Sequence, residues 1–329
     1  MKILAIETSC DETAAAVVED GVKILSNVVA SSTAMHEKYG GIVPEVAARE
    51  QLKVIIPTIE EALSRPGLKG LQGRASIDAI AVTIGPGLIG SLLVGVEYAK
   101  TMAFVTGKPI IPVNHVLAHM YANFVESGKL IAFPAISLVV SGGHTELFLM
   151  TSPNNLKWLG GTLDDAAGEA FDKTARLLGF GNGGGAAIQK SAKQNLLITK
   201  LPRPILHDKT LNFSFSGLKT AIIREWKKQE NHDEAYISSL AYEVQEAITD
   251  VLVAKTKSAA EIYNAKSILI SGGVAANLRL REKLPSAIAP PINLCTDNAV
   301  CIASYAYFRG EQTDWHTITA MPDLSVEVS

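Results

Sequence analysis

Two similar strand–turn–strand patterns constrain the fold of this chain more than any other feature of its sequence. The first lies at the amino terminus, where KILAIE and AAAVVE flank the polar turn Thr8–Thr13. The second begins at Ala135, where ISLVV and ELFLM flank the small-residue turn Ser141–Thr145. Apolar runs of this length around such turns predict β-hairpins. Two hairpin-led halves predict a duplicated α/β fold, with the cleft between the copies as the natural ligand site.

The intervals between these strands have the spacing of helices. Helical patterns cover 43–63, 91–105, 115–125, 164–178, 235–263 and 299–308. A further strand is expected at SILIS, followed by the turn GGVAAN. Strands that alternate with such helices predict sheets covered by helices. The polar stretch ESGKL sets the expected boundary, with residues 1–128 in the first half and 129–329 in the second, whose last helix is free to return to the first half.

Charge limits the nucleic-acid contacts that the chain can make. Its formal net charge is -3, which excludes a uniformly basic surface, so RNA binding requires a local patch or a partner protein. One such stretch is 190–228, which we call the basic segment and which has nine Lys or Arg and two acids. We expect it to form part of an RNA-binding surface, although a solvated basic face would look the same.

The cysteines and the apolar stretches bear on location. Cys10, Cys295 and Cys301 show no CxxC spacing, which disfavours a disulfide framework or a cysteine zinc site and fits a reducing, cytoplasmic compartment. The stretch 79–96 has no charged residue, but Gly85–Pro86–Gly87 divides it into a strand and a helix. We therefore expect no membrane span.

The GPGLIG motif (Gly85–Gly90) has the strand-to-helix context of a dinucleotide-binding fingerprint. That fingerprint also needs an acidic residue at the end of the next strand to bind the ribose, and the next strand, PIIPVN, has none. The motif therefore predicts a tight turn that packs a helix closely on its strand.

A histidine pair is the clearest sign of a metal site. His115 and His119 are four residues apart, so on a helix both imidazoles leave the same face and can share a metal ion. Val116 stands where an HExxH metallopeptidase has its glutamate base, which argues against a peptidase. Asp297 precedes a helical pattern, where it can cap the helix or complete a two-histidine, one-carboxylate set suited to iron or zinc.

Carboxylates and small residues suggest a nucleotide site in the second half. Asp165, Glu169 and Asp172 form a stripe on one helix face, ahead of a glycine loop at 181–185. The stripe has two alternative explanations: a solvated face of the helix, or a site that binds a ribose and its base. The small-residue turns SGGHT and SGGVAAN offer the free backbone amides that a phosphate or adenosine requires.

Taken together, the chain resembles the tRNA N6-adenosine threonylcarbamoyltransferases, the bacterial TsaD family once called O-sialoglycoprotein endopeptidases. The resemblance spans nearly the whole chain, in IETSCDETAAAVV, GGIVPEVAARE, GPGLIGSLLVG, NHVLAH, SLVVSGGHTEL, DDAAGEAFDKTARLLG, FSFSGLKTA, SGGVAAN and CTDNA. It implies the actin-like ATPase and Hsp70 (ASKHA) fold, with two ribonuclease-H-like halves.

The resemblance also implies roles for individual residues. The metal ligands would be His115, His119 and Asp297, holding one Fe(II) or Zn(II) ion across the two halves. The contacts to the adenylate substrate would be Val139, Val140, Ser141, Gly142, Gly143, Asp172, Gly185 and Asn277, and the possible catalytic residues Asp11 and Glu12. The chain departs from the family in three places: Asn182–Ala186 replaces YPGGP, Gln189 replaces an acid, and Gln51 replaces a histidine.

The implied reaction is transfer of the threonylcarbamoyl group from threonylcarbamoyl-adenylate to the adenosine 3′ of the anticodon in tRNAs reading ANN codons, with release of AMP. The implied partners are an inactive TsaB-like paralogue of the same fold, a TsaE-like small ATPase, and an upstream threonylcarbamoyl-AMP synthase. The apolar helix at 91–105 offers a docking face. An ATPase or small-molecule kinase of the same fold remains an alternative, and a non-catalytic scaffold would be expected to lack the histidine pair and Asp297.

Overall fold

The computed structural model describes residues 1–36, 39, 41–64, 76–126, 128, 130–181, 184–193 and 200–327. The strands are β1 (Lys2–Glu7), β2 (Glu12–Glu19), β3 (Lys23–Ser31), β4 (Ala79–Gly85), β5 (Ile110–Asn114), β6 (Ala135–Val140), β7 (Thr145–Ser152), β8 (Asn155–Gly161) and β9 (Ser267–Ser271). The helices are α1 (Thr33–His36), α2 (Pro44–Ser64), α3 (Ile89–Thr106), α4 (His115–His119), α5 (Ala167–Leu177), α6 (Gly184–Ser191), α7 (Ser216–Trp226), α8 (Glu234–Ile262), α9 (Leu278–Lys283) and α10 (Ala299–Phe308).

The chain forms two compact units. Unit 1 comprises Met1–Leu130 together with Thr296–Glu327, and unit 2 comprises Ile131–Cys295. The sequence-based division placed 129–329 in the second half and allowed the last helix to return to the first; in the structure Thr296–Glu327, which includes α10, belongs to unit 1. The physical reason is that α10 packs against β1 and β2 of unit 1.

The two sheets repeat one arrangement. In unit 1 the strand order is β3-β2-β1-β4-β5, and in unit 2 it is β8-β7-β6-β9. Each unit begins with three antiparallel strands, and each places a later strand parallel to the first, β4 beside β1 and β9 beside β6. The duplicated α/β fold predicted from the two hairpins is confirmed.

Alternation along the strands sets the two faces of each sheet. In β1, Leu4 and Ile6 join the apolar core that contains residues of α2 and α3, whereas Glu7 points to the opposite face. In unit 2, Leu138 and Val140 of β6 pack with the long helix α8. None of the described helices combines the length and apolarity required to cross a membrane.

Five elements were not predicted from the sequence: strands β3 and β8 and helices α1, α6 and α7. Strands β3 and β8 are only partly buried and have no continuous apolar run, because each lies at the edge of its sheet. Helix α7 falls in the basic segment, where exposed Lys219 and Arg224 lie among the apolar residues in sequence and the buried face includes Glu225. The predicted helix at 115–125 is confirmed only as α4, since residues 120–124 form a 3-10 helix.

Candidate metal centre

Asn114 starts the helix that carries the histidine pair. It is the last residue of β5, and its side-chain oxygen accepts hydrogen bonds from the backbone N–H groups of Val116 (3.0 Å) and Leu117 (3.1 Å). This N-cap lets α4 begin at His115, directly after the strand. One helical turn then brings the His115 and His119 rings to a centroid distance of 4.7 Å.

Asp297 reaches the same point from the far end of the chain. The adjacent Asn298, not Asp297, caps α10, by accepting from the backbone N–H groups of Val300 and Cys301. The Asp297 Oδ1 atom lies 3.6 Å from His115 Nε2 and 3.4 Å from His119 Nε2. One potential ligand atom from each of the three residues falls within 4.8 Å of the others. All three belong to unit 1, so the expectation that the ligands join two halves is wrong, because the chain returns to unit 1 at Thr296.

His119 provides a test of whether these residues fit a metal ion. Its side chain is buried, and neither ring nitrogen has a hydrogen-bond partner within the described part of the chain. Leaving a buried imidazole nitrogen unpaired is costly, so such atoms normally have a partner. A divalent ion bound at Nε2 would supply one, and two imidazoles with one carboxylate leave coordination positions open for a substrate. The donor set fits iron or zinc.

Glu7 is a further candidate residue of this site, which the sequence did not single out. It is 1% exposed at the end of β1, and its Oε2 atom lies 3.0 Å from His115 Nδ1. The same carboxylate accepts hydrogen bonds from Thr83 Oγ1 and Ser9 N, both at 2.5 Å. A carboxylate on the outer nitrogen of a histidine fixes the ring and directs the other nitrogen towards a metal. A glutamate that ends an otherwise apolar buried strand was the available signal.

The charge state of this pair follows from its surroundings. Burial by itself would lower the pKa of His115, but the Glu7 and Asp297 carboxylates outweigh burial and raise it to about 9. Burial likewise opposes ionisation of Glu7, yet the adjacent His115 holds the pKa of Glu7 below its ordinary value. Without a metal, the two groups therefore form a buried ion pair.

Asp11 lies in the turn between β1 and β2, and Glu12 is the first residue of β2. Asp11 accepts a hydrogen bond from Thr33 Oγ1 at 2.9 Å. Burial, followed by the nearby carboxylates of Asp297 and Asp11, raises the pKa of Glu12 to about 9. Gln51, at the family's histidine position, donates from Nε2 to the backbone carbonyls of Cys10 (3.0 Å) and Glu12 (2.9 Å). These hydrogen bonds fix the turn. Glu12 lies close enough to Asp297 for the two carboxylates to interact electrostatically.

The candidate adenylate residues lie at the carboxyl edge of the unit 2 sheet. Val139 and Val140 end β6 with fully buried side chains, whereas Gly142 and Gly143 are exposed with open space beside them. Strands β6 and β9 are parallel and end at the same edge, where a Cβ on Gly272 would lie 2.5 Å from the Val140 carbonyl oxygen. The two small-residue turns are therefore neighbours, as expected for strands that end together.

Helices α5 and α6 border the same turns. A Cβ on Gly168 would lie 2.4 Å from the Ser141 carbonyl oxygen, so α5 starts against the SGGHT turn. Lys173 pairs with Asp165 (2.7 Å) and Glu169 (2.8 Å), which neutralises part of the acidic stripe. The third carboxylate of this stripe is Asp172, and burial raises its pKa.

The glycine loop and Asn277 hold the remaining candidate adenylate residues of unit 2. A Cβ on Gly184 would lie 1.8 Å from Asp172 Oδ1, so α6 closely approaches that carboxylate, while Gly185 has ordinary contacts with Phe171. Asn182 and Gly183 lie outside the described residues. Asn277 caps α9 and donates to Gln245 Oε1 at 3.1 Å, so both ends of its amide already have protein partners.

Gln189, which replaces an acid of the family, has a structural contact. Its Oε1 atom accepts a hydrogen bond from the backbone N–H of Leu278 at 2.6 Å. A neutral amide at this position therefore ties α6 to the start of α9.

Comparison with known proteins adds an independent observation. A family model described as tRNA N6-adenosine threonylcarbamoyltransferase matches residues 23–304. Two curated relatives carry that name: one from Dehalococcoides mccartyi, 49% identical over 99% of both chains, and one from Persephonella marina, 47% identical over 95% of this chain and 91% of the relative.

Solved structures resemble the chain in fold alone. HypF from T. kodakarensis matches with a TM-score of 0.61 and 14% identity, covering 93% of this chain and 47% of that one. Component A of the Acidaminococcus fermentans (R)-2-hydroxyglutaryl-CoA dehydratase matches with a TM-score of 0.53 and 13% identity, covering 93% and 98%. With the repeated sheets, these matches identify the actin-like ATPase fold.

Proposed function

Because this chain belongs to the tRNA N6-adenosine threonylcarbamoyltransferase family, we propose that it uses threonylcarbamoyl-adenylate as its donor and releases AMP. The acceptor is the exocyclic amine of the adenosine 3′ of the anticodon, in tRNAs that read ANN codons. An unstacked base in an RNA loop is the kind of target that proteins recognise by turning it out. The observation that carries the proposal is the cluster of His115, His119 and Asp297 in a chain of this family.

The chemistry explains why the donor must be activated. The adenine amine is a weak nucleophile because its lone pair is delocalised into the ring. In the proposed step, the amine nitrogen attacks the carbamoyl carbon, the bond from that carbon to the phosphate oxygen breaks, and AMP leaves as the nitrogen loses a proton. The position of Glu12 near Asp297, with Asp11 beside it, supports a catalytic role for this turn.

In this proposal His115, His119 and Asp297 hold one Fe(II) or Zn(II) ion. When bound, the ion supplies Lewis acidity that stabilises negative charge on the phosphate or carbonyl oxygens of the donor. Glu7 keeps His115 oriented, and Thr83 and Ser9 keep Glu7 in place. Val116 is buried beside the histidines and offers no base that could activate water, which disfavours peptide hydrolysis.

In this proposal unit 2 binds the adenylate. The exposed backbone N–H groups of Gly142 and Gly143 can donate to phosphate or ribose oxygens, and Asp172 can accept from ribose hydroxyls. Ser141 is half-buried and its backbone N–H donates to the His144 carbonyl, so it would contribute its side-chain hydroxyl. Val139 and Val140 would support these groups from the buried end of β6. Gly185 would admit the ligand close to α6, and Asn277 would contribute the amide hydrogen that Gln245 does not use.

We also propose partner proteins. A threonylcarbamoyl-AMP synthase would supply threonylcarbamoyl-adenylate, the donor of the proposed reaction. The inactive TsaB-like paralogue is assigned to the apolar face of α2 and α3, where large side chains are 43–64% exposed: Leu52, Ile56, Ile89 and Leu93. A TsaE-like ATPase is the third partner.

The test is nucleoside mass spectrometry of tRNA after incubation with the purified protein, its partners and threonylcarbamoyl-adenylate. The expected result is threonylcarbamoyladenosine that appears with the wild type and is lost with His119→Ala. An ATPase or kinase of the same fold is the alternative. Turnover of ATP with a small molecule, and no modified tRNA, would establish it instead.

A further inference from the structure

The GPGLIG turn is not explained by the proposed nucleotide site, because it lies in unit 1 and lacks the acidic partner of a dinucleotide fingerprint. Residues Met321–Ser325, which we call the C-terminal strap, lie directly on it. Met321 N donates to the Ile84 carbonyl at 2.7 Å, and Gly87 N donates to the Pro322 carbonyl at 3.1 Å. A Cβ on Gly85 would lie 1.9 Å from the Met321 carbonyl oxygen, so only glycine allows this approach.

The strap also reaches the helix that carries the metal ligands. The Asn114 side-chain Nδ2 donates to the Ser325 carbonyl at 3.0 Å. The Oδ1 atom of the same amide caps α4 through Val116 and Leu117. One buried side chain therefore connects the strap to the helical turn between His115 and His119.

A second route runs from the GPG turn to His115 through Ser9. Leu88 N donates to the Ser9 carbonyl at 2.8 Å, and a Cβ on Gly87 would lie 2.4 Å from that carbonyl oxygen. Ser9 Oγ lies 3.2 Å from His115 Nδ1, and Ser9 N donates to Glu7. The turn that the strap contacts therefore packs against Ser9, which lies beside His115 and donates to Glu7.

We propose that the C-terminal strap and Asn114 position the metal ligands, so that metal affinity depends on a segment that contributes no ligand. The inference rests on the metal centre of the proposed function. Metal sites are tight when their ligands are held in place before binding, and loss of outer supports costs about 10–100-fold in affinity. The strap is the outer support of α4, and Asn114 is a positioning residue.

The experiment compares three variants with the wild type. The first ends after Ala320 and lacks the strap. The second is Asn114→Ser, which keeps an N-cap oxygen for α4 but is too short to reach Ser325. The control ends after Val326 and keeps every hydrogen bond of the strap described above. Zinc affinity is measured by chelator competition, and ligand geometry by the visible absorption of the cobalt-loaded proteins.

We expect the first two variants to bind zinc at least about tenfold more weakly, with a weaker cobalt spectrum, and the control to match the wild type. If the strap-less chain fails to fold, Asn114→Ser decides the outcome. Wild-type affinity and spectrum in Asn114→Ser would overturn the strap proposal and leave the metal centre intact. A wild type that binds neither metal, with tRNA transfer still measurable, would overturn both the metal centre and the strap.

Discussion

His119 gives the cleanest residue-scale test of the metal centre. Substituting His115 would leave Glu7 as a buried, uncompensated charge, which costs about 3–5 kcal/mol and would confuse folding with binding. His119 has no hydrogen-bond partner among the described residues to lose. We therefore expect His119→Ala to remain folded while elemental analysis finds little bound iron or zinc.

His316→Ala is the matched control for that experiment, because this histidine is exposed and pairs only locally with Asp314. Its metal content should equal that of the wild type. Full occupancy in His119→Ala would show that this imidazole is not a ligand.

Asp164 links pH to the stability of unit 2. Its carboxylate accepts hydrogen bonds from the side chains of Ser214 and Ser216 and from the N–H groups of Phe215 and Ser216, at 2.6–3.1 Å. Burial opposes ionisation, but these donors outweigh it and hold the pKa of Asp164 below its ordinary value. The contribution to stability is therefore present above the unfolded pKa of about 3.9, and is lost as the pH falls through the lower folded pKa.

Asp164→Asn should lower the melting temperature at pH 7, because a neutral amide replaces a charged acceptor and hydrogen bonds to charged groups are stronger by about 1 kcal/mol. The difference from the wild type should shrink as the pH falls below about 4. Glu230→Gln, at an exposed position, is the control and should change neither value. A constant difference from pH 7 to pH 3 would contradict the assigned role of the charge.

The contact between helices α5 and α6 can be tested by adding one methyl group at Gly184. An alanine Cβ at position 184 would lie 1.8 Å from Asp172 Oδ1 and 2.6 Å from the Asp172 Cα, so the helices must move apart. Overpacking of this kind costs about 1–3 kcal/mol. Gly184→Ala should weaken binding of a stable threonylcarbamoyl-adenylate analogue about tenfold or more in calorimetry.

Gly217→Ala in α7 is the control for that substitution, because its Cβ would meet only Pro204 at 3.9 Å. Bound metal should be unchanged in both variants, since the proposed metal ligands belong to unit 1. Analogue affinity unaffected by Gly184→Ala would remove Asp172 from the proposed adenylate site.

The cations of the basic segment differ in whether they are paired with acidic residues. Arg203 is 9% exposed and pairs with Glu243 and Asp250 of α8, so it secures the segment and is not a free charge for RNA. Within the described residues, Lys193 and Lys200 form no ion pair. We expect Lys193→Gln with Lys200→Gln to weaken tRNA binding and to reduce the salt slope by about 0.7–0.9 for each phosphate that the variant no longer neutralises.

Lys23→Gln with Lys53→Gln removes two exposed, locally paired lysines of unit 1 and is the charge-matched control. Its salt slope should equal that of the wild type. Arg203→Gln should lower thermal stability instead. Equal slopes in the two double variants would identify the basic segment as an ordinary solvated face.

At the scale of the whole molecule, a chain with net charge -3 and an exposed apolar face on α2 and α3 is expected to work with partners. Purified protein given threonylcarbamoyl-adenylate and unmodified tRNA should turn over slowly, and should reach its full rate only when the TsaB-like and TsaE-like proteins are added. A Leu52→Glu, Leu93→Glu variant should lose that stimulation and keep its metal. Rapid multiple turnover by the isolated chain would contradict the partner requirement.

The local features of the fold follow from short-range patterns in the amino-acid sequence. Alternating apolar runs and small-residue turns predicted the paired hairpins, and the four-residue spacing of His115 and His119 placed both imidazoles on one helix face. Both follow from the periods of strand and helix, which a single sequence displays. The edge strands β3 and β8 escaped prediction because their burial is incomplete.

Contacts between residues far apart in the sequence became visible in the three-dimensional structure. It returned Asp297 to unit 1, paired buried Glu7 with His115, and laid the strap across the GPGLIG turn to reach Asn114. These contacts join residues that no helical or strand period relates, because they depend on where the chain turns and which faces pack. Local periodicity sets what each side chain can do, and long-range packing sets which partner it meets.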